Sequence, residues 1–192
     1  MARPDLKKER TEQILSAFDR CVARSGFAGV TLEDVAKEAG VARALIRHNV
    51  GNREDLEDAA IERFFARSSN RWTELFSELP EHRQVQALCE RLLDTSSRDD
   101  QLVSLTQALM AHAANDAELS ERLSKWLDAT IKRISDSIRR QHPDIDANKS
   151  IGIAGGILGV YFNLVSFQIV GDLPHLEDAS RLAIEVLLEP LG

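Results

Sequence analysis

Apolar residues recur at intervals of three and four along most of the chain, and no convincing run alternates apolar with polar positions as a half-buried strand does. Ile14, Phe18, Cys21 and Val22 share one face of a first helix over about 7–25, which Gly26 and Gly29 end in a loop that tucks in Phe27. Thr31, followed three residues later by Asp34, signals a capping box for a short helix over 32–39, closed by Gly40. A second short helix follows over about 42–49. Gly51 stops it, and Asn52 caps a long helix to about residue 79 that carries Leu56, Ala60, Phe64, Phe65, Trp72, Phe76 and Leu79. Further amphipathic stretches cover about 81–95, 99–114, 116–142 and 176–188, with Pro80, Pro143 and Pro174 between them. In 116–142, Leu119, Leu123, Trp126, Leu127, Ile131, Ile134 and Ile138 mark one stripe. Counting the uncharged run described next, the pattern predicts about nine helices and an all-α fold.

The run "IGIAGGILGVYFNLVSFQIVG", residues 151–171, is long enough to span a bilayer, and Gly152/Gly156 and Gly155/Gly159 both match the small-xxx-small packing pattern. Asn163, Ser166 and Gln168 are costly in hydrocarbon, however, and neither a basic cluster nor an aromatic belt flanks the run. A helix apolar all round is equally expected when buried on every side in a soluble protein. Close to the end of a chain this size, a subunit interface is the better home, with Gly152, Gly155, Gly156 and Gly159 permitting close approach and Leu182 and Val186 on the next helix beside them. A homodimer without a membrane span is predicted.

At 192 residues the chain holds one sizeable domain, or a small domain joined to a larger one. Cys21 and Cys89, the only thiols, fall on apolar helix faces and read as reduced core residues. The amino terminus, MARPDLKKER, has no apolar stretch behind its charges, which argues against a signal peptide and for a cytoplasmic protein. The net charge of −7 is unevenly placed: residues 1–53 hold ten basic and seven acidic side chains, net +3, leaving −10 for residues 54–192. The basic excess suggests a polyanionic partner for the first part alone.

Within that part, two short helices around Gly40, the second rich in Arg, make a helix-turn-helix pattern. Val35, Ala36, Ala39, Val41, Leu45 and Ile46 are expected to lock the helices together, leaving Arg43, Ala44, Arg47 and His48 outward. Arg pairs bidentately with guanine, and a small Ala suits a thymine methyl.

The stretch "TLEDVAKEAGVARALIRHNVGNREDL", preceded by "RTEQILSAFDRCVARSGFAGV", resembles the DNA-binding domain of the TetR family of bacterial transcriptional regulators over residues 10–60. The resemblance implies a DNA-binding domain over 1–53 and a helical effector-binding and dimerisation domain over 54–192. It places Arg43, Ala44, Arg47 and His48 at base-facing sites and Thr31, Asn49 and Arg53 at phosphate-contacting ones, with Arg3, Lys7 and Lys8 as an arm near the DNA. Arg47 stands where the family often has tyrosine, Asn49 where it has histidine or an aromatic, and Val50 where it has phenylalanine. Arg47 thereby adds either a base reader or a phosphate contact. The family's later helices enclose a small-molecule effector, for which Phe65, Trp72, Phe76, Met110, Trp126 and Phe162 are the candidates here. The expected function is a repressor that binds a palindromic DNA operator as a homodimer and is released by an effector. No enzyme is expected: His48, His82, His112, His142 and His175 are scattered without metal-ligand spacing, so no metal or cofactor is implied.

Overall fold

The computed structural model describes residues 6–94, 96, 99–167, 171 and 173–191. Among these residues there are nine α-helices and no strand: α1 (Leu6–Gly29), α2 (Leu32–Ala39), α3 (Arg43–Asn49), α4 (Arg53–Glu78), α5 (Gln84–Leu93), α6 (Asp100–Ala113), α7 (Ala117–Gln141), α8 (Ala147–Phe167) and α9 (Pro174–Leu188). The all-α expectation holds.

Short polar side chains start most of these helices by accepting from free N–H groups of the first turn. Asn52 Oδ1 accepts from the Asp55 N–H at 3.0 Å, and Asp55 Oδ2 accepts in return from the Asn52 N–H at 2.8 Å. Asp99 Oδ1 accepts from Leu102 and Asp116 Oδ1 from Leu119, each at 3.0 Å. Asp146 Oδ1 accepts from Asn148 and Lys149 at 2.9 and 3.0 Å, so α8 begins at Ala147, four residues before the apolar run. Pro174 stands inside the first turn of α9, where its missing N–H has no helical partner to lose. Residues 81–95, expected as one helix, divide into a 3₁₀ turn (Glu81–Arg83) and α5.

Gly51 adopts φ 128, and a Cβ there would lie 2.8 Å from Asp55 Cβ and closer still to its carboxylate. We therefore expect Gly51→Ala to strain the backbone and push Asp55 off its cap, lowering unfolding stability by about 2 kcal/mol in urea denaturation. Gly40→Ala is the control: its φ of 65 carries the same kind of strain, but no atom lies within 4 Å of the new Cβ, so about 1 kcal/mol is expected.

Packing divides the chain into two compact units, residues 1–70 with 99–120 and residues 71–98 with 121–192. In the first, α1 packs on α2, α3 and α6. Ile14, Phe18, Val22, Val35, Ile46, Leu56, Phe64, Leu105 and Leu109 are buried there. Gly26, at φ 67, breaks the end of α1 and turns Phe27 inward, edge-on to Phe18 at 5.9 Å and stacked on His112 at 4.8 Å. Asp19 is only 1% exposed; Arg63 bonds it together with Ser16 and Glu12, and Arg67 links it at 3.4 Å and Asp99 at 3.0 Å. Burial pushes the Asp19 carboxyl up to about 6, against the opposing pull of Arg63 and Arg67.

In the second unit, Val85, Leu88, Cys89, Ile134, Ile138, Ile153, Ala154, Ile157, Leu158, Leu164 and Ile184 form the core. Both cysteines are buried and free, as expected, and burial pushes the Cys89 thiol up to about 12. The run expected at a subunit interface has two faces in α8. Ile153, Ala154, Ile157, Leu158, Leu164 and Val165 are buried, whereas Ile151, Gly152, Gly159, Asn163, Ser166 and Phe167 are exposed. Gly156 lies against α9 of the same chain, where an added Cβ would meet Leu187 at 2.8 Å; Gly152, Gly155 and Gly159 face open space. Gly156 thus serves packing within the chain.

Candidate nucleic-acid interface

The α2–turn–α3 segment is built from its caps inward. Thr31 Oγ1 accepts from the Asp34 N–H at 3.2 Å and donates to Asp34 Oδ2 at 2.5 Å, while Oδ2 also accepts from the Thr31 N–H at 3.0 Å. These bonds hold the Asp34 carboxyl below the usual range. At the other end Gly40 takes the left-handed conformation, and the Val41 N–H reaches back to Ala36 O at 3.0 Å. Val35, Ala36, Ala39 and Ile46 are buried across the turn. Arg20 and Arg24 hold Glu38 at 2.6 and 2.7 Å, tying α2 to α1 and keeping the Glu38 carboxyl low. Gln13 Nε2 adds a bond to Ala39 O at 2.7 Å.

One buried residue, Ile46, anchors the seven-residue α3. At about 100° per residue, Ala44 and His48 project opposite Ile46, with Arg43 and Arg47 on one flank and Leu45 and Asn49 on the other. Arg43, Ala44, Arg47 and His48 are exposed, matching their expected orientation. Leu45 does not match: expected inward, it is 39% exposed. It sits a quarter turn or more from Ile46, and the buried stripe of so short a helix is only one residue wide.

Arg43 and Arg47 line an open groove of about 720 Å³ together with Thr31, Leu32, Glu33, Asn52, Arg53, Glu54 and Glu57. The N-termini of α2 and α4 both open onto it, an arrangement suited to an anion. Its cations differ in how far they are compensated. Arg43 stands 3.7 Å from Glu33. Arg47 has no acidic partner within 4 Å among the described residues. Arg53 is engaged on several sides: Nη1 donates to Val30 O, Nη2 donates to Phe27 O at 2.7 Å, and Nη2 lies 2.8 Å from Glu57 Oε1. The Asn49 amide turns back to Leu45 O at 2.7 Å. Glu57 was missed from sequence, although its place four residues after Arg53 is an ion-pair spacing. Lys7 and Lys8 are exposed at the start of α1; Arg3 lies outside the described residues.

The residues expected to bind an effector fall in both units. Phe65 packs edge-on to Phe64 at 5.3 Å and Met110 is 37% exposed, both in the first. In the second, Trp72 lies 6.1 Å from Phe76, which has Arg133 over its ring, and Trp126 lies 6.3 Å from Phe162. Among the described residues no group of His, Cys, Asp or Glu is placed to hold a metal ion.

Residues 14–60 match the family described as bacterial regulatory proteins, tetR family. A search of curated proteins gives no match. Among solved structures, the chain is similar to a transcriptional regulator of Saccharomonospora viridis in complex with choline, at 19% identity and a TM-score of 0.77, covering 95% of this chain and 96% of that one. A TetR transcription regulator of Haloarcula marismortui follows at 16% identity and 0.75, covering 95% and 98%. GusR of Salmonella enterica gives 18% identity and 0.72, covering 98% of each chain. These likenesses extend the shared fold over nearly the whole chain. With its capped α2, its glycine turn and its exposed arginine-bearing α3, the segment 14–60 carries the DNA-binding domain of the tetR family of bacterial regulatory proteins.

Proposed function

We propose that this regulator is a homodimeric repressor whose two α3 helices enter successive major grooves of a palindromic operator, about 34 Å apart. Residues 1–53 are the DNA-reading head, and residues 54–192 carry dimerisation and effector binding. The observation that carries this reading is the outward surface of α3, where Ala44 and His48 stand opposite the buried Ile46 beside the uncompensated Arg47. Ala44 and His48 meet base edges, Arg43 and Arg47 reach bases or phosphates from their flank, and Thr31 and Asn49 lie along the backbone. Sequencing of genomic fragments retained by the purified protein tests this; a retained pool with no enriched sequence would overturn it.

The exposed side of α8 and α9 supports the dimer. Ile151 is 51% exposed, Phe167 47%, Leu182 62% and Val186 54%, with Gly152, Gly155 and Gly159 open between them. α8 is also long and apolar enough to cross a membrane, with 39% of its most apolar window buried in the chain. Asn163 and Ser166 on its exposed side suit contact with another protein surface better than lipid. Leu182→Glu is expected to weaken the dimer at least about tenfold in analytical ultracentrifugation while leaving helicity intact. Unchanged sedimentation would remove α9 from the interface.

A small effector bound by residues 54–192 relieves repression, and it does so only by binding the DNA-competent and DNA-incompetent arrangements with different affinity. The regulator solved with choline supports a small-molecule ligand as the class. The aromatic pairs Trp126/Phe162 and Trp72/Phe76, all within the second unit, are the parts of the expected pocket proposed to line it.

A further inference from the structure

The geometry points to Arg53 as a positioning residue that sets the N-terminus of α2, instead of the phosphate contact its place at the start of α4 suggests. This rests on the DNA-binding reading above. Three observations support it. The guanidinium forks onto two carbonyls, one in the last turn of α1 and one in the α1–α2 link: Nη1 donates to Val30 O and Nη2 to Phe27 O at 2.7 Å. Both carbonyls belong to a fixed piece of chain, since Phe27 and Val30 are 3% and 2% exposed. Val30 immediately precedes Thr31, the cap of α2, so holding its carbonyl holds the peptide that delivers the Thr31 N–H and hydroxyl to Asp34.

The charge balance points the same way. Glu57 Oε1, at 2.8 Å, already compensates the guanidinium. A phosphate approaching Arg53 would meet this carboxylate and would compete with two carbonyl bonds already made. Binding that releases counterions requires a cation without such compensation, and in this groove that description fits Arg47. A planar fork reaching two carbonyls is geometry a lysine cannot reproduce, whereas a point contact with phosphate is.

The test compares wild type, Arg53→Lys and Arg53→Gln. The probe is a duplex selected by the wild-type protein from a random-sequence library, with affinity measured at several salt concentrations. If wild type selects no sequence, the DNA-binding reading fails; the measurements on free protein below still judge Arg53. A positioning role makes Lys and Gln equally poor, each losing about tenfold or more, with the slope of log affinity against log salt unchanged. A phosphate contact instead leaves Lys near wild type and lowers the slope of Gln by about one unit, which would overturn the proposal.

Amide hydrogen exchange on free Arg53→Lys adds a readout that needs no DNA. Faster exchange at Thr31 and Asp34, with α7–α9 unchanged, is expected, and wild-type rates there would overturn the proposal. Should the variants fold poorly, the guanidinium NMR signals of wild-type Arg53 decide. Restricted Nη rotation in the free protein that persists unshifted on DNA addition supports positioning; a large shift on DNA addition refutes it.

Discussion

Asp19→Asn is expected to raise unfolding stability at pH 7.5 by on the order of 3 kcal/mol, with the gain vanishing near pH 4. The sign follows from which effect wins at this site. Asp19 is almost fully buried, and the cost of desolvating its charge exceeds the attraction of Arg63 and Arg67, so its carboxyl is raised to about 6 in the native protein. Glu12 pushes in the same direction. A raised native pKa favours the protonated native form. That contribution is complete below about pH 3.8 and is lost as pH rises through about 6. Asparagine has the shape of the protonated carboxyl and keeps the contribution at every pH.

The arginines are not stranded by the change, because Arg63 still bonds Glu12 and Ser16, and Arg67 still bonds Asp99. Asp19 Oδ1 is buried without a hydrogen-bond partner, so the substitution breaks no bond at that atom. Denaturant melts of both proteins between pH 4 and 8 measure the difference. A variant less stable than wild type at pH 7.5 would mean that the ion pairs outweigh desolvation.

The second large effect is on DNA. Arg47→Ala is expected to cost about 1–3 kcal/mol of binding at the selected site, and to do so without loss of fold. Arg47 is exposed, lines the groove onto which the N-termini of α2 and α4 open, and has no acidic partner within 4 Å among the described residues. Its charge is therefore fully available to DNA, in contrast to Arg43 near Glu33 and Arg53 against Glu57. The salt series separates its two possible partners. Loss of a phosphate contact lowers the salt slope by about one unit, whereas loss of a guanine contact relaxes base preference at one position with a smaller change in slope. Wild-type affinity at both about 50 and about 200 mM salt would remove Arg47 from the interface.

Helix existence and order were legible because most helices repeat their apolar positions at three and four and are announced by a cap or a proline, while α3, which has neither cap nor proline, is bracketed by Gly40 and Gly51. What escaped depends on where the rest of the chain lies. Leu45 looked like core because it is apolar and beside Ile46; its exposure reflects how narrow a stripe α3 buries. Gly156 looked like Gly152 and Gly159, and only the position of Leu187 tells them apart. Arg53 matched a phosphate-contacting place in the family pattern, and its bonds to the Val30 and Phe27 carbonyls leave no mark in a sequence. The Asp19 cluster left a partial sign: an acid beside Phe18 on an apolar helix, and Arg63 and Arg67 one turn apart on another.

The single-residue anchoring of α3 has a consequence for how such a protein changes over time. Arg43, Ala44, Leu45, Arg47 and His48 all project away from the core, so almost no folding energy depends on their identity, while Ile46, Gly40 and the Thr31 cap hold the helix in place. Mutations at the five outward positions can then accumulate without a stability threshold to cross first. If α3 reads DNA as proposed, a lineage carrying this scaffold is free to drift from one operator to another while its fold stays still, and a combinatorial library confined to those five positions explores DNA sequence preference with little loss of folded members.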